Sequence, residues 1–131
     1  MSKPKSPDEI LQEEFLRERA EVLGRAGTRV LESLNTLRRI EEEIAAAQGR
    51  YEKLAPVQAV SPPDGGESRT QRVRLRREID AQVHRYNRVR EEAKLRYYYL
   101  IVTREALGLR RHHWVEAVYR IPPKKAVSQD G

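Results

Sequence analysis

The side chains that could do chemistry in this chain are few, and their spacing suits little of it. His112 and His113 are the obvious metal candidates, with Glu105 and Glu116 the nearest carboxylates. Adjacent residues of a helix point about 100° apart and do not converge on one ion. There is no cysteine to complete a zinc set, and the Glu-to-His intervals match no zinc spacing. Both histidines read as surface or packing residues. Gly24 to Thr28 has the glycines of a phosphate loop but neither its lysine nor a preceding strand. No nucleophile motif offers a catalytic serine or cysteine. Glu13-Glu14 and Glu41 to Glu43 are what solvated helices ordinarily carry. The sequence therefore assigns no catalytic residue, no metal, no cofactor and no small-molecule substrate, and the expected class is a non-enzyme.

Two surfaces remain. The first is basic: Arg69, Arg72, Arg74, Arg76, Arg77, Arg85, Arg88 and Arg90 crowd one stretch, with His84 among them. The planar guanidinium suits bidentate contact with carboxylate or phosphate. Three readings compete for it: a solvated face neutralised by Glu32 and Glu41 to Glu43, an acidic patch on a protein partner, or a nucleic-acid backbone followed without sequence specificity. Tyr86 is the one aromatic residue interleaved with the cluster, so a base-stacking platform is not evident.

The second surface is apolar. Tyr97-Tyr98-Tyr99-Leu100-Ile101-Val102 covers more than a turn and a half, so a helix there is apolar all round. Such a segment needs cover on several sides. A short helix carrying Trp114 and Val118 can supply some of it, and a second copy of the chain or another protein the rest. Tyr97, Tyr98, Tyr99, Ile101, Trp114 and Val118 are the expected apolar contact residues.

The elements that position these groups follow from a repeat of seven. Leu16, Leu23, Val30, Leu37, Ile44 and Tyr51 form one series, and Ile79, Tyr86, Ala93, Leu100 and Leu107 a second. A straight helix drifts about 20° per heptad, so a strict seven-residue series stays in line only along a coiled-coil seam. The fold class expected is all-α, a long antiparallel coiled-coil hairpin with a short third helix. Ser6-Pro7-Asp8-Glu9 is a capping box with proline at the first helical position, so helix 1 should run from about 7 to 54. Gly24 and Gly27 could break it, with Thr28 capping a new helix; the register carried unchanged from Leu23 to Val30 favours one continuous helix. The Pro- and Gly-rich residues 55–67 read as the tip loop. Helix 2 is expected over about 68–108, with Gly108 taking the left-handed position past its end. The third helix is expected over about 110–119, stopped by Pro122-Pro123. Residues 1–6 and 122–131 read as disordered ends flanking one domain at 7–121. A fold about residue 61 would set Leu95 and Tyr98 opposite Gly24 and Gly27, the glycines making room for bulky side chains.

Composition agrees with a thin, charged rod. Of 131 residues 35% are charged and 6% aromatic, and the net charge is +6. Residues 1–66 carry 10 Lys and Arg against 12 Asp and Glu, whereas 67–131 carry 16 against 8. The first helix is close to neutral and the second strongly basic, which attracts across the seam and leaves positive charge for an acidic partner. The first residues have no apolar run resembling a signal peptide, and no stretch approaches the length of a membrane span. The reading is a cytoplasmic, non-catalytic interaction or scaffold protein, self-associating as a homodimer and binding an acidic protein partner. The alternative is a sequence-independent nucleic-acid or ribosome-associated binder using the same arginines.

Overall fold

The computed structural model of the chain describes residues 3–54 and 66–127. The expected tip loop falls outside the described residues except for Gly66 and Glu67, as do residues 128–131 of the expected tail. Three helices are present in the order α1 (Pro7–Glu52), α2 (Glu67–Ala106) and α3 (His113–Val118), and among the described residues there is no strand. The all-α hairpin read from the heptads is the fold. No helix among the described residues is long and apolar enough to cross a membrane.

α1 begins as its capping sequence dictates. The Glu9 amide donates to Ser6 Oγ at 3.2 Å, and Asp8 and Glu9 stand at the positive end of the helix dipole. The helix passes through Gly24 and Gly27 without a break; its 46 residues extend about 69 Å. α2 starts one residue before the expected Ser68, after Gly66 in the left-handed region at φ 93°. Its C-terminus closes as Gly108 predicts. At φ 86° that glycine donates its amide to Glu105 O at 3.0 Å, and the Leu109 amide donates to Arg104 O at 2.9 Å. These two bonds form the Schellman pattern, which satisfies carbonyls that a helix end leaves open.

The seam is built from the predicted series. Val30, Leu37 and Ile44 of α1 are buried, as are Tyr86, Ala93 and Leu100 of α2, with Ile40, Ala47 and Val83 filling between them. The register differs from a fold about residue 61. Such a fold would pair Arg96 with Ala26, but Arg96 bridges Glu32 at 3.7 Å, and Arg50–Glu78 and Arg85–Glu43 follow the same shift. Periodicity sets which face is inside; it does not fix the slide of one helix along the other by a turn.

One consequence follows from this register. α2 ends level with Arg19, whose guanidinium donates to Leu107 O at 2.5 Å. Residues 7–18 of α1 therefore project past α2, and Leu16, first of the heptad series, is 60% exposed. The tail, expected to be loose from Pro122 onward, departs from the sequence reading. Residues 122–127 instead lie along the hairpin, with Ile121 and Val127 packed against the Leu37–Ile40–Tyr86 cluster. Asn87 holds the segment at both polar ends of one peptide unit's neighbourhood, donating from Nδ2 to Lys125 O and accepting the Lys125 amide at Oδ1, each at 2.9 Å. Arg90 Nε donates to Pro122 O at 2.6 Å, and Lys125 bridges Glu41 at 3.1 Å. The extended backbone that proline imposes suits a strap as well as it suits a loose end.

The glycines of α1 also have a different neighbour from the expected one. A Cβ at Gly24 would meet nothing within 4 Å, whereas at Gly27 it would lie 2.6 Å from the Tyr119 hydroxyl and 3.4 Å from Tyr119 Cζ. Tyr98 and Leu95 face outward at 60% and 51% exposure, so the room is made for Tyr119 and not for them. Gly24→Ala should stabilise the protein by about 1 kcal/mol through helix propensity. Gly27→Ala gains the same propensity but displaces Tyr119, and should lower the melting temperature. In a Tyr119→Phe background the same change should become neutral or stabilising. Thermal melts of these variants check the assignment; a stabilising Gly27→Ala in the otherwise natural chain would contradict it.

Candidate interaction surface

The open end of the hairpin carries most of the apolar groups singled out in the sequence, and the fold divides them between core and surface. Tyr97 and Ile101 are half-buried against Val30, Leu100 and Val115, the small core where α3 docks. Burial raises the Tyr97 phenol above its usual pKa, and Glu116 adds to the shift. Tyr98 and Tyr99 point outward, their rings 6.0 Å apart and tilted. Trp114 and Val118 are 50% and 57% exposed on α3, while Val115, between them, is fully buried. α3 is shorter than expected, six residues, and Val115 is the side chain that anchors it. The six residues thus do not form one patch.

Arg104 holds this end together. It is 7% exposed, lies 4.9 Å over the Trp114 ring, and donates to Arg111 O at 2.8 Å and to His112 Nδ1 at 3.2 Å. With Nδ1 accepting, His112 carries its proton on Nε2, which donates to Glu105 Oε1 at 3.1 Å. His112 is a packing residue of the α2–α3 turn and His113 is exposed. Among the described residues no group of three or more His, Asp or Glu is placed to hold a metal ion.

The arginines of α2 are dispersed around the helix. Arg72 is half-buried, lying 4.1 Å over the Tyr51 ring and donating to Leu54 O at 3.3 Å. Arg85 bridges Glu43, and Arg90 is taken up by the tail. Arg69, Arg74, Arg77 and Arg88 are exposed and Arg76 is half-buried. Arg74 shares a groove with Arg50, Lys53, Leu54 and Leu75 near the tip. Several of the cationic groups thus serve the hairpin itself, while the exposed Arg74, Arg77 and Arg88 fall on one side of α2 by helix periodicity.

No protein-family model, curated protein or solved structure matches this chain.

The fold sets Leu95 and Val102 beside the expected Tyr99, and adds Leu11, Phe15 and Val22, which the sequence reading did not single out. Leu95, Tyr99 and Val102 lie on the outer side of α2 at 42–56% exposure, spaced by four and three. Leu11, Phe15 and Val22 of α1, spaced by four and seven, are 63%, 57% and 38% exposed. Val22 and Ala26 meet Leu95 and Tyr99 in one open groove rimmed by Arg25, Arg29 and Arg96, on the side of the hairpin away from the tail. The signal was present in the spacing. A second apolar stripe at intervals of three and four runs beside the seam on each helix, and a single-seam search does not look for it.

Proposed function

We propose that this chain is a non-catalytic interaction or scaffold module of the cytoplasm, which self-associates and binds an acidic protein partner. The observation that carries the reading is the outward apolar row Leu95, Tyr98, Tyr99 and Val102 on a helix whose inner face is already packed. A soluble helix gains nothing within its own fold from such a row, and exposed apolar groups in this density mark contact sites. The binding energy then comes from burying aromatic and aliphatic surface, and the exposed arginines Arg74, Arg77 and Arg88 orient an acidic partner. A polyanion-binding role is supported less well, because Arg72, Arg85 and Arg90 are engaged by groups of the chain itself.

Affinity capture from native lysate with the natural chain, Tyr98→Glu and Arg74→Glu/Arg77→Glu tests the reading. A protein retained in stoichiometric amount by the natural chain and lost with both variants supports it; equal retention by all three overturns it. Titration with duplex and single-stranded oligonucleotides at two salt concentrations addresses the alternative. Affinity falling steeply with salt would favour a nucleic-acid binder.

A further inference from the structure

We propose that the groove side of the open end is the interface with a second copy of this chain, an antiparallel two-fold pairing centred near Val22. The inference rests on the interaction-module reading and names one of its partners. It starts from the overhang. Residues 7–18 of α1 are helical and exposed, none of them joins a core cluster of the described residues, and they carry Leu11, Phe15 and Leu16. An overhang that buries no apolar face gains none of the tertiary packing from which most helical stability comes.

The positions of the exposed residues are self-complementary. Along the rod Leu11 lies about 16 Å and Phe15 about 10 Å to one side of Val22, from the rise of a helix. With Leu107 level with Arg19, Leu95 lies about 14 Å and Tyr99 about 8 Å to the other side. A two-fold axis beside Val22 therefore brings Leu11 of each copy over the other's Leu95, and Phe15 over the other's Tyr99. Val22 meets its own counterpart at the axis. An isologous contact requires each residue to find its match in this way.

Charge obeys the same axis. Glu14 and Glu18 share a face with Leu11 and Phe15, and Arg25 and Arg29 rim the groove with Val22. Among the described residues, none of these four side chains makes an ion pair within the chain. The two-fold sets Glu18 against Arg25 of the other copy and Glu14 against Arg29. Glutamates meeting glutamates would oppose the pairing; this arrangement selects it. The other side of the hairpin is already covered by α3 and the tail, which leaves this side for the second copy.

Sedimentation velocity on the full chain over a concentration series reads the result. The natural chain should sediment at twice the chain mass. Phe15→Glu and Tyr99→Glu should each raise the dissociation constant about thirtyfold or more, the effect of removing a central contact, with circular dichroism unchanged because neither side chain is in the core. Glu18→Arg should weaken pairing about tenfold by facing like charges. Adding Arg25→Glu to Glu18→Arg should restore it, which general damage to the fold would not do. A natural chain that stays monomeric at the highest concentration overturns the proposal, as does a dimer indifferent to Phe15→Glu and Tyr99→Glu. A monomer that still retains a partner through Tyr98 and Arg74 would overturn the second copy alone and leave the interaction module standing.

Discussion

Tyr86→Ala should lower the stability of this protein by about 3–5 kcal/mol, the cost of emptying an aromatic site in a packed core. Tyr86 is 2% exposed and sits among Leu37, Ile40, Ile44, Val83 and Ala93, with the Lys125 ammonium 4.8 Å over its ring. The two helices and the tail residues Ile121 and Val127 are held by their other contacts and close only partly on the space. Marginal domains have about 5–15 kcal/mol in total, and the variant should be largely unfolded by moderate urea. The same burial makes stability depend on alkaline pH. Desolvation, with Glu41 adding to it, raises the Tyr86 phenol above its usual value near 10. The folded state then holds the proton more tightly than the unfolded chain. That contribution is fully present below pH 10 and is lost as pH rises through the folded value. Urea midpoints of the natural chain should fall more between pH 8 and pH 11 than those of Tyr86→Phe, which keeps the ring and has no phenol there. Equal falls would show that Tyr86 is not the titrating group.

The parts of this fold that were legible in the sequence are those fixed by local chemistry or by a long repeat. Ser6 and Pro7 start α1, Gly108 ends α2, and two heptad series choose the inner faces, because each acts within a few residues or is reinforced many times. The slide between the helices was not legible. Shifting α2 by one turn keeps nearly the same residues inside, and Arg96–Glu32 and Arg50–Glu78 mark the register that the fold adopts. From that ambiguity came the unforeseen overhang, since whether Leu16 meets a partner depends on where Leu107 falls; Leu95 and Tyr98 lie off the seam in either register, and the neighbour of Gly27 is set by where Tyr119 docks.

The candidate surface was half legible for a related reason. The run from Tyr97 to Val102 announces excess apolar surface, but its division between Tyr97 and Ile101 inside and Tyr98 and Tyr99 outside depends on where Val115 and Tyr119 dock. The arginine cluster looked like one site because composition ignores direction. In the fold, Arg72 lies over Tyr51 and Arg90 caps the Pro122 carbonyl, so a feature dense in sequence becomes several separate contacts.

A chain ending at Arg120 should lose about 2–4 kcal/mol, from the half-buried aliphatics Ile121 and Val127 and the hydrogen bonds of Asn87 and Arg90. Residues 121–127 are not helical, so the far-ultraviolet circular dichroism at low temperature should change little while the transition moves. The loss should also be local. Amides near Val83 to Ala93, beneath the strap, should exchange faster, and those near Leu100, covered by Val115, should keep their protection. Asn87→Ala isolates the polar part. Replacing the side chain leaves the Lys125 amide and carbonyl to find water, at about 1–2 kcal/mol, so it should account for roughly half of the truncation. A truncated chain that melts within about 2 °C of the full one would mean the strap rests on the hairpin without stabilising it. The expected result makes the hairpin's middle a three-layered structure, with the tail closing one side of the seam. Association is then confined to the open end, where α1 outruns α2 and the apolar groove lies uncovered.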